Sequence, residues 1–218
     1  MNALCSVHIP LLAVVGFGLV QTGRVQEHPR TMMRISTQIV EPRPDPGSFA
    51  AQPKVLWRAG TKYARVAESP DIQNRVQGLM IINEPDAWMI NLFDKSGKHM
   101  VDPGPSLDVH LPIFTDTSVK TRLKELEFGR ELKFFAHEGA QGSAGEAISG
   151  GATERYQLTI ASGRVVLWTD VKSKKPLRVS LVENALSKTI EYLSYDDNLA
   201  FNPSLFQPPT GIAMQNAK

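Results

Sequence analysis

The stretch from Val76 to Val101, VQGLMIINEPDAWMINLFDKSGKHMV, constrains this chain more than any other part of it. It divides into three short strands separated by two turn sequences, Asn83-Glu84-Pro85-Asp86 and Asp94-Lys95-Ser96-Gly97. Proline presets φ, Asn and Asp bond to nearby backbone, and glycine accepts φ > 0, so both tetrapeptides suit tight turns. Between them, Ala87 to Phe93 alternates and places Trp88, Ile90 and Leu92 on one face. That face is too apolar to stand in water. Whatever folds around this meander must cover it.

The flanking segments extend the same pattern. Met32 to Val40, Lys54 to Arg58 and Lys62 to Glu68 are predicted strands, with the proline-rich Glu41 to Pro53 as a connection. The middle of the chain changes period. Asp116 or Thr117 can cap a helix from Ser118, and Val119, Leu123 and Leu126 form an apolar stripe at i, i+4, i+7. Phe128, Leu132 and Phe135 repeat that spacing out of phase, and Gly129 lies at the break, which predicts two short helices or one kinked helix. Gly139 to Gly151 is predicted as a flexible loop. Strands resume at Thr153–Ala161, Arg164–Asp170, Leu177–Glu183 and Lys188–Tyr195, and the tail from Asn198 to Ile212 should dock without regular structure. Strands, a helical insert and strands again predict an α+β fold. It has one long antiparallel sheet, strongly curved and unclosed, of about 8–10 strands with helices packed into its concave face.

Composition narrows the function classes. The chain has 218 residues with 24 Lys+Arg against 22 Asp+Glu, and the net charge of +2 gives no electrostatic footprint for nucleic acid. The basic run Lys172-Ser173-Lys174-Lys175 precedes Pro176 and is predicted as a solvated turn. Ile9 to Val20 is an apolar run of signal-peptide length, so residues 1–23 are expected to be a leader and residues 24–218 a single exported domain, periplasmic or secreted. Cys5 is the only cysteine and precedes that run, so the mature chain has neither disulfide nor catalytic thiol.

Catalytic signatures are missing from the sequence. The glycines at 139, 142 and 145 lack the Gly-Lys-Ser/Thr end of a phosphate loop. No G-x-S-x-G is present, so Ser106 and Ser143 have no nucleophile context. His28, His99, His110 and His137 form no metal-binding spacing, and Glu84, Asp86 and Asp94 fit turn caps better than an acid/base pair. No catalytic residue, metal or cofactor is expected. What stands out is the large apolar set Trp57, Met80, Trp88, Met89, Met100 and Trp168 on or beside predicted strands. An ordinary core explains these residues, since burying each contributes about 1.5–3 kcal/mol. A cavity for an apolar ligand, with methionine as adaptable lining, explains them too.

Three motifs resemble a known family. Trp57-Arg58-x-Gly60-x-Lys62-Tyr63-x-Arg65-x-x-Glu68 is similar to the opening hairpin of the outer-membrane lipoprotein carriers and their relatives, the LolA/LolB-like superfamily. Asp86-x-Trp88-Met89-x-Asn91-Leu92 resembles the strand that follows. The end, Phe201-x-x-x-x-Phe206-x-Pro208-Pro209-x-Gly211, resembles the family's closing motif, so the likeness spans most of residues 33–213. It implies a half-barrel plugged by helices that binds acyl chains and is not an enzyme. Trp57, Met80, Trp88, Ile90, Leu92, Trp168, Phe128, Leu132 and Phe135 are then the expected cavity lining. It also implies a buried arginine that holds the helical lid, for which Arg58 and Arg65 are the candidates. The expected partners are a lipid or acyl chain and a cell-envelope protein, with the chain itself a monomer. The alternative is a structural, interaction or sensing module of the envelope whose helices fill the cavity permanently.

Overall fold

Tight turns and period-two alternation build a single sheet. The structure, a computed structural model, describes residues 29–45, 51–101, 122–161, 163–183 and 186–216. The expected leader, Cys5 and the expected helix start at Asp116 to Val119 lie outside these. Strands β1 (Thr31–Glu41), β2 (Lys54–Ala59), β3 (Tyr63–Glu68), β4 (Gly78–Asn83), β5 (Asp86–Asn91) and β6 (Ser96–Val101) pair antiparallel in sequence order. The insert follows as a 3-10 turn, Arg122–Glu125, and helix α1, Glu131–His137. The sheet then continues with β7 (Ser143–Ala144), β8 (Thr153–Ile160), β9 (Gly163–Asp170), β10 (Pro176–Glu183) and the long β11 (Leu186–Ala200), and the chain returns as β12 (Ala213–Asn216).

β1 and β11 join the halves, giving one 12-stranded sheet ordered β12-β6-β5-β4-β3-β2-β1-β11-β10-β9-β8-β7. Only β12 on β6 is parallel. The sheet is curved, register shifts interrupt the β1–β11 pairing, and the end strands do not meet, so it stays open.

Because strand residues alternate between faces, each apolar face needs its own cover. On one face, Ile35, Leu56, Ala64, Val165, Leu167, Val179, Leu181, Ile190 and Tyr192 are buried with Leu123, Leu126, Phe128, Phe134 and Phe135 of the insert. On the other, Met32, Ala59, Tyr63, Leu79, Ile81 and Ile90 are buried with Phe206, and Phe201, Leu205 and Met214 of the tail pack against them. Edge contacts of Tyr63 with Phe201 and Phe206, at centroid distances of 5.1 and 5.4 Å, lock the tail down. The insert covers one face and the tail covers the other.

Four expectations need correction. The strands number twelve instead of 8–10, because β7 and β12 escape the sequence pattern. β7 lies inside the glycine-rich segment expected as a loop. A Cβ on Gly142 would strike Glu154 and one on Gly145 would strike Thr153, so these glycines let the chain press against β8. The tail has regular structure after all, since β11 runs on to Ala200 and a 3-10 turn spans Pro203–Phe206. Gly97 is not the turn glycine: Lys95 takes the positive φ of 56° in the β5–β6 turn. Gly97 sits within β6, where a Cβ would be 3.0 Å from Met214 Sδ and 3.1 Å from Ile90 Cγ1, so its bareness admits the tail.

Candidate functional site

The junction between insert and sheet buries three charged side chains, Arg58, Glu127 and Glu131. Arg58 on β2 is only 3% exposed, on the face of Leu56, and points at the insert. Its guanidinium donates to the carbonyl of Phe128 at 3.0 Å and lies 2.5 Å from the carboxylate of Glu127, itself buried. One side chain on the sheet thus ties two consecutive residues of the insert. Gly129 follows with φ of +82°, and a Cβ there would collide with Met33 of β1, so glycine permits both the turn and the close approach.

Glu131 opens α1 and is 1% exposed. Its Oε1 accepts the Tyr192 hydroxyl at 2.7 Å and the Gly129 N–H at 2.9 Å. Burial pushes the Glu131 carboxyl up to about 7, against the opposing pull of these hydrogen bonds and of Arg58. Burial raises the Tyr192 phenol well above its usual value, and the neighbouring Glu131 charge adds to this; Tyr195, packed beside Tyr192, is raised for the same reasons in the same order. The arrangement is a buried latch with one cation, two carboxyl groups and two phenols. Glu127, Glu131 and Tyr192 were not picked out by motif. Glu131 had a signal, since it occupies the i+3 position of the stripe Phe128, Leu132, Phe135 as the one polar group on an apolar face.

The two candidate arginines divide the work between the covers. Arg58 holds the insert, whereas Arg65 donates to the carbonyl of Leu205 in the tail at 2.9 Å, on the opposite face. Arg34 and Arg65 also flank the Trp57 ring at 5.8 and 5.7 Å.

The nine residues expected to line a cavity do not share one wall. Phe128, Leu132 and Phe135 meet in the insert core, and alternation puts Met80 on that same sheet face. Trp57, Trp88, Ile90 and Leu92 pack with the tail on the other face. Trp88 stacks on His99 at 5.3 Å, and His99 Nε2 is 2.7 Å from Asp86. Trp168 also lies away from the insert core, opposite Leu167, with the Arg178 guanidinium 5.8 Å from its ring. Among the described residues, no cluster of His, Cys, Asp or Glu could hold a metal.

Beyond the insert, its side of the sheet continues as a methionine-lined surface. Met80 pairs with Met89 across β4–β5, and Met100 lies opposite Ala87. Among the described residues, the insert core reaches β4 only through Ile82, and Met89 is 56% exposed. An open groove of about 430 Å³ lies there, bordered by Val76, Met89, Lys98 and Gln215.

Neither a family model nor a curated protein sequence matches this chain. Solved structures do resemble it. An uncharacterized conserved protein from Thermus thermophilus matches with a TM-score of 0.50 at 9% identity, over 86% of this chain and 91% of that one. The Mycobacterium tuberculosis lipoprotein LppX matches at TM-score 0.40 and 11% identity, over 79% and 90% of the two chains. A LolA superfamily protein from Nitrosomonas europaea matches at TM-score 0.34 and 9% identity, over 83% and 91%. The chain shares its fold with the Thermus thermophilus protein, an open and curved, mostly antiparallel sheet.

Proposed function

We propose that this is an exported, non-enzymatic envelope protein that holds an apolar chain, a lipid or protein-linked acyl group, in its half-barrel. In this reading the insert lies in the concave face as a lid, Arg58 is its latch, and Met80, Met89 and Met100 line the continuation of the cavity. The observation that carries the reading is the open surface beside the insert, where the exposed Met89 borders a groove of about 430 Å³. Pockets of roughly 300–1,000 Å³ suit small apolar ligands, and unbranched thioethers adapt to flexible chains. Phe128, Leu132 and Phe135 would form the lid side of the site. The test is extraction of protein purified without detergent, followed by mass spectrometry. Co-purifying acyl lipid supports the reading. A dry protein that also shows no saturable binding of a fluorescent fatty acid would sink it.

A second reading keeps the insert as a permanent plug in a structural module. The full burial of Leu123, Leu126 and Phe135 favours it. Hydrogen exchange separates the two: a lid opens locally, well below the global unfolding free energy, and exposes residues 123–137, whereas a plug exchanges only with the whole sheet.

A further inference from the structure

At its β7 end the sheet stops abruptly. β7 contributes two residues and pairs only with Arg155 and Glu154 of β8, so the outer side of β8 from Tyr156 to Ile160 has no strand beside it among the described residues. The hydrogen bonds show which groups this leaves open. The Thr153 carbonyl accepts from Gly145 and the Arg155 carbonyl from Ser143 Oγ, both on the outer side, while the Ala152 carbonyl accepts from Val171 on the β9 side. Backbone direction alternates along a strand, so Gln157 and Thr159 point their N–H and C=O groups outward. Both residues are exposed, and no hydrogen bond among the described residues reaches those groups.

Natural edges are usually guarded by proline, lysine, a bulge or a covering segment. The sequence Tyr156-Gln157-Leu158-Thr159-Ile160 has no proline and no charge, and its pairing with β9 runs without a register shift. Its inner face is already apolar, since Tyr156, Leu158 and Ile160 pack against the insert core.

We propose that β8 is a self-association edge, on which a second copy of this chain adds its own β8 antiparallel about a two-fold axis through Leu158. The register follows from the open groups. Gln157 of each copy would face Thr159 of the other as a hydrogen-bonded pair, and Leu158 would face Leu158 at the non-bonded position. Tyr156 would then lie opposite Ile160, so the cross-strand pairs are apolar with apolar on the insert side and Gln with Thr on the outer side. No like charges meet. The paired segment ends where β7 begins on one side and at the β8–β9 turn on the other, so it fits the free length of edge. This assignment concerns oligomeric state and does not depend on what the half-barrel binds.

Sedimentation equilibrium of the purified protein, up to about 1 mM, tests it against Gln157→Pro. The proline removes an outward N–H and leaves the β9 ladder intact. Wild type should dimerise, and the variant should stay monomeric or weaken about tenfold or more with an unchanged circular dichroism spectrum. A wild type that remains monomeric, or a variant that dimerises equally, overturns the proposal. Should Gln157→Pro not fold, Leu158→Cys in a Cys5→Ser background decides. Non-bonded antiparallel pairs bring Cα atoms to about 4.5 Å, within disulfide reach, so mild oxidation should cross-link two copies. Failure to cross-link, with the thiol titratable, counts against the proposal.

Discussion

Glu131 makes stability depend on pH in a direction opposite to that of most carboxylates. Its folded value is about 7 against a usual 4.5, so the packed insert prefers the protonated form. That stability is fully present below about pH 4.5 and is lost as pH rises through about 7, a difference on the order of 3 kcal/mol for a fully buried group. Asp71, Asp94 and Asp170, held below their usual values by turn hydrogen bonds, act only at more acid pH and leave the window from about pH 5 to 8 clear of their influence. Wild-type protein should therefore unfold at lower urea at pH 8 than at pH 5.5, and Glu131→Gln should flatten the difference by gaining stability at pH 8. An unchanged slope in the variant would remove Glu131 from the account. Arg58→Ala should cost up to about 3–5 kcal/mol, because the buried Glu127 would keep only the more exposed Arg130, at 3.4 Å, as a cation. At this scale the sequence was half legible. The resemblance leaves Arg58 and Arg65 both as candidates, and which cover each one holds depends on contacts 70 and 140 residues away, to which local pattern is blind.

The strand β5 tests the division of the sheet into two differently covered faces. Trp88, half-buried under the tail side and stacked on His99, should cost about 2–3 kcal/mol when truncated to Ala. Met89, on the insert side and largely exposed, should cost less than about 0.5 kcal/mol but weaken the binding of a fatty-acid probe. Urea denaturation of both variants, with a binding titration beside it, checks the pair; equal losses of stability would mean that the faces are misassigned. For the insert, Arg58→Ala should speed hydrogen exchange across residues 123–137 more than across β9–β11. Equal acceleration in both would mark the insert as a plug. Elements with strong alternation and turn residues, β1 to β6 and β8 to β11, are readable because local chemistry and pairing agree. β7 and β12 are not, since two exposed residues and Ala213-Met214-Gln215-Asn216 carry no amphipathic period; only glycine clearance and the docked phenylalanines place them.

At the scale of the molecule, one open sheet is stabilised by an insert on one side and a tail on the other, each fastened by its own arginine. The order of strands, insert and strands predicts an open sheet that carries an insert, but the tail's cover of the second face is not in that order. A single cavity wall could not be read the same way, because residues two apart share a face while neighbours do not, and no sequence pattern says which face a distant strand presents. That is why Trp57, Trp88 and Trp168 sit away from the proposed site, and why their fluorescence is a poor reporter of its occupancy. The central claim is that the insert side of the half-barrel holds an acyl chain. Lipid extraction and mass spectrometry of protein purified without detergent tests it most directly, with Met80→Ser/Met89→Ser prepared in parallel. The account predicts acyl lipid recovered with wild type and clearly depleted in the double variant at unchanged stability. Wild-type protein recovered dry, or lipid retained equally by both, would contradict it.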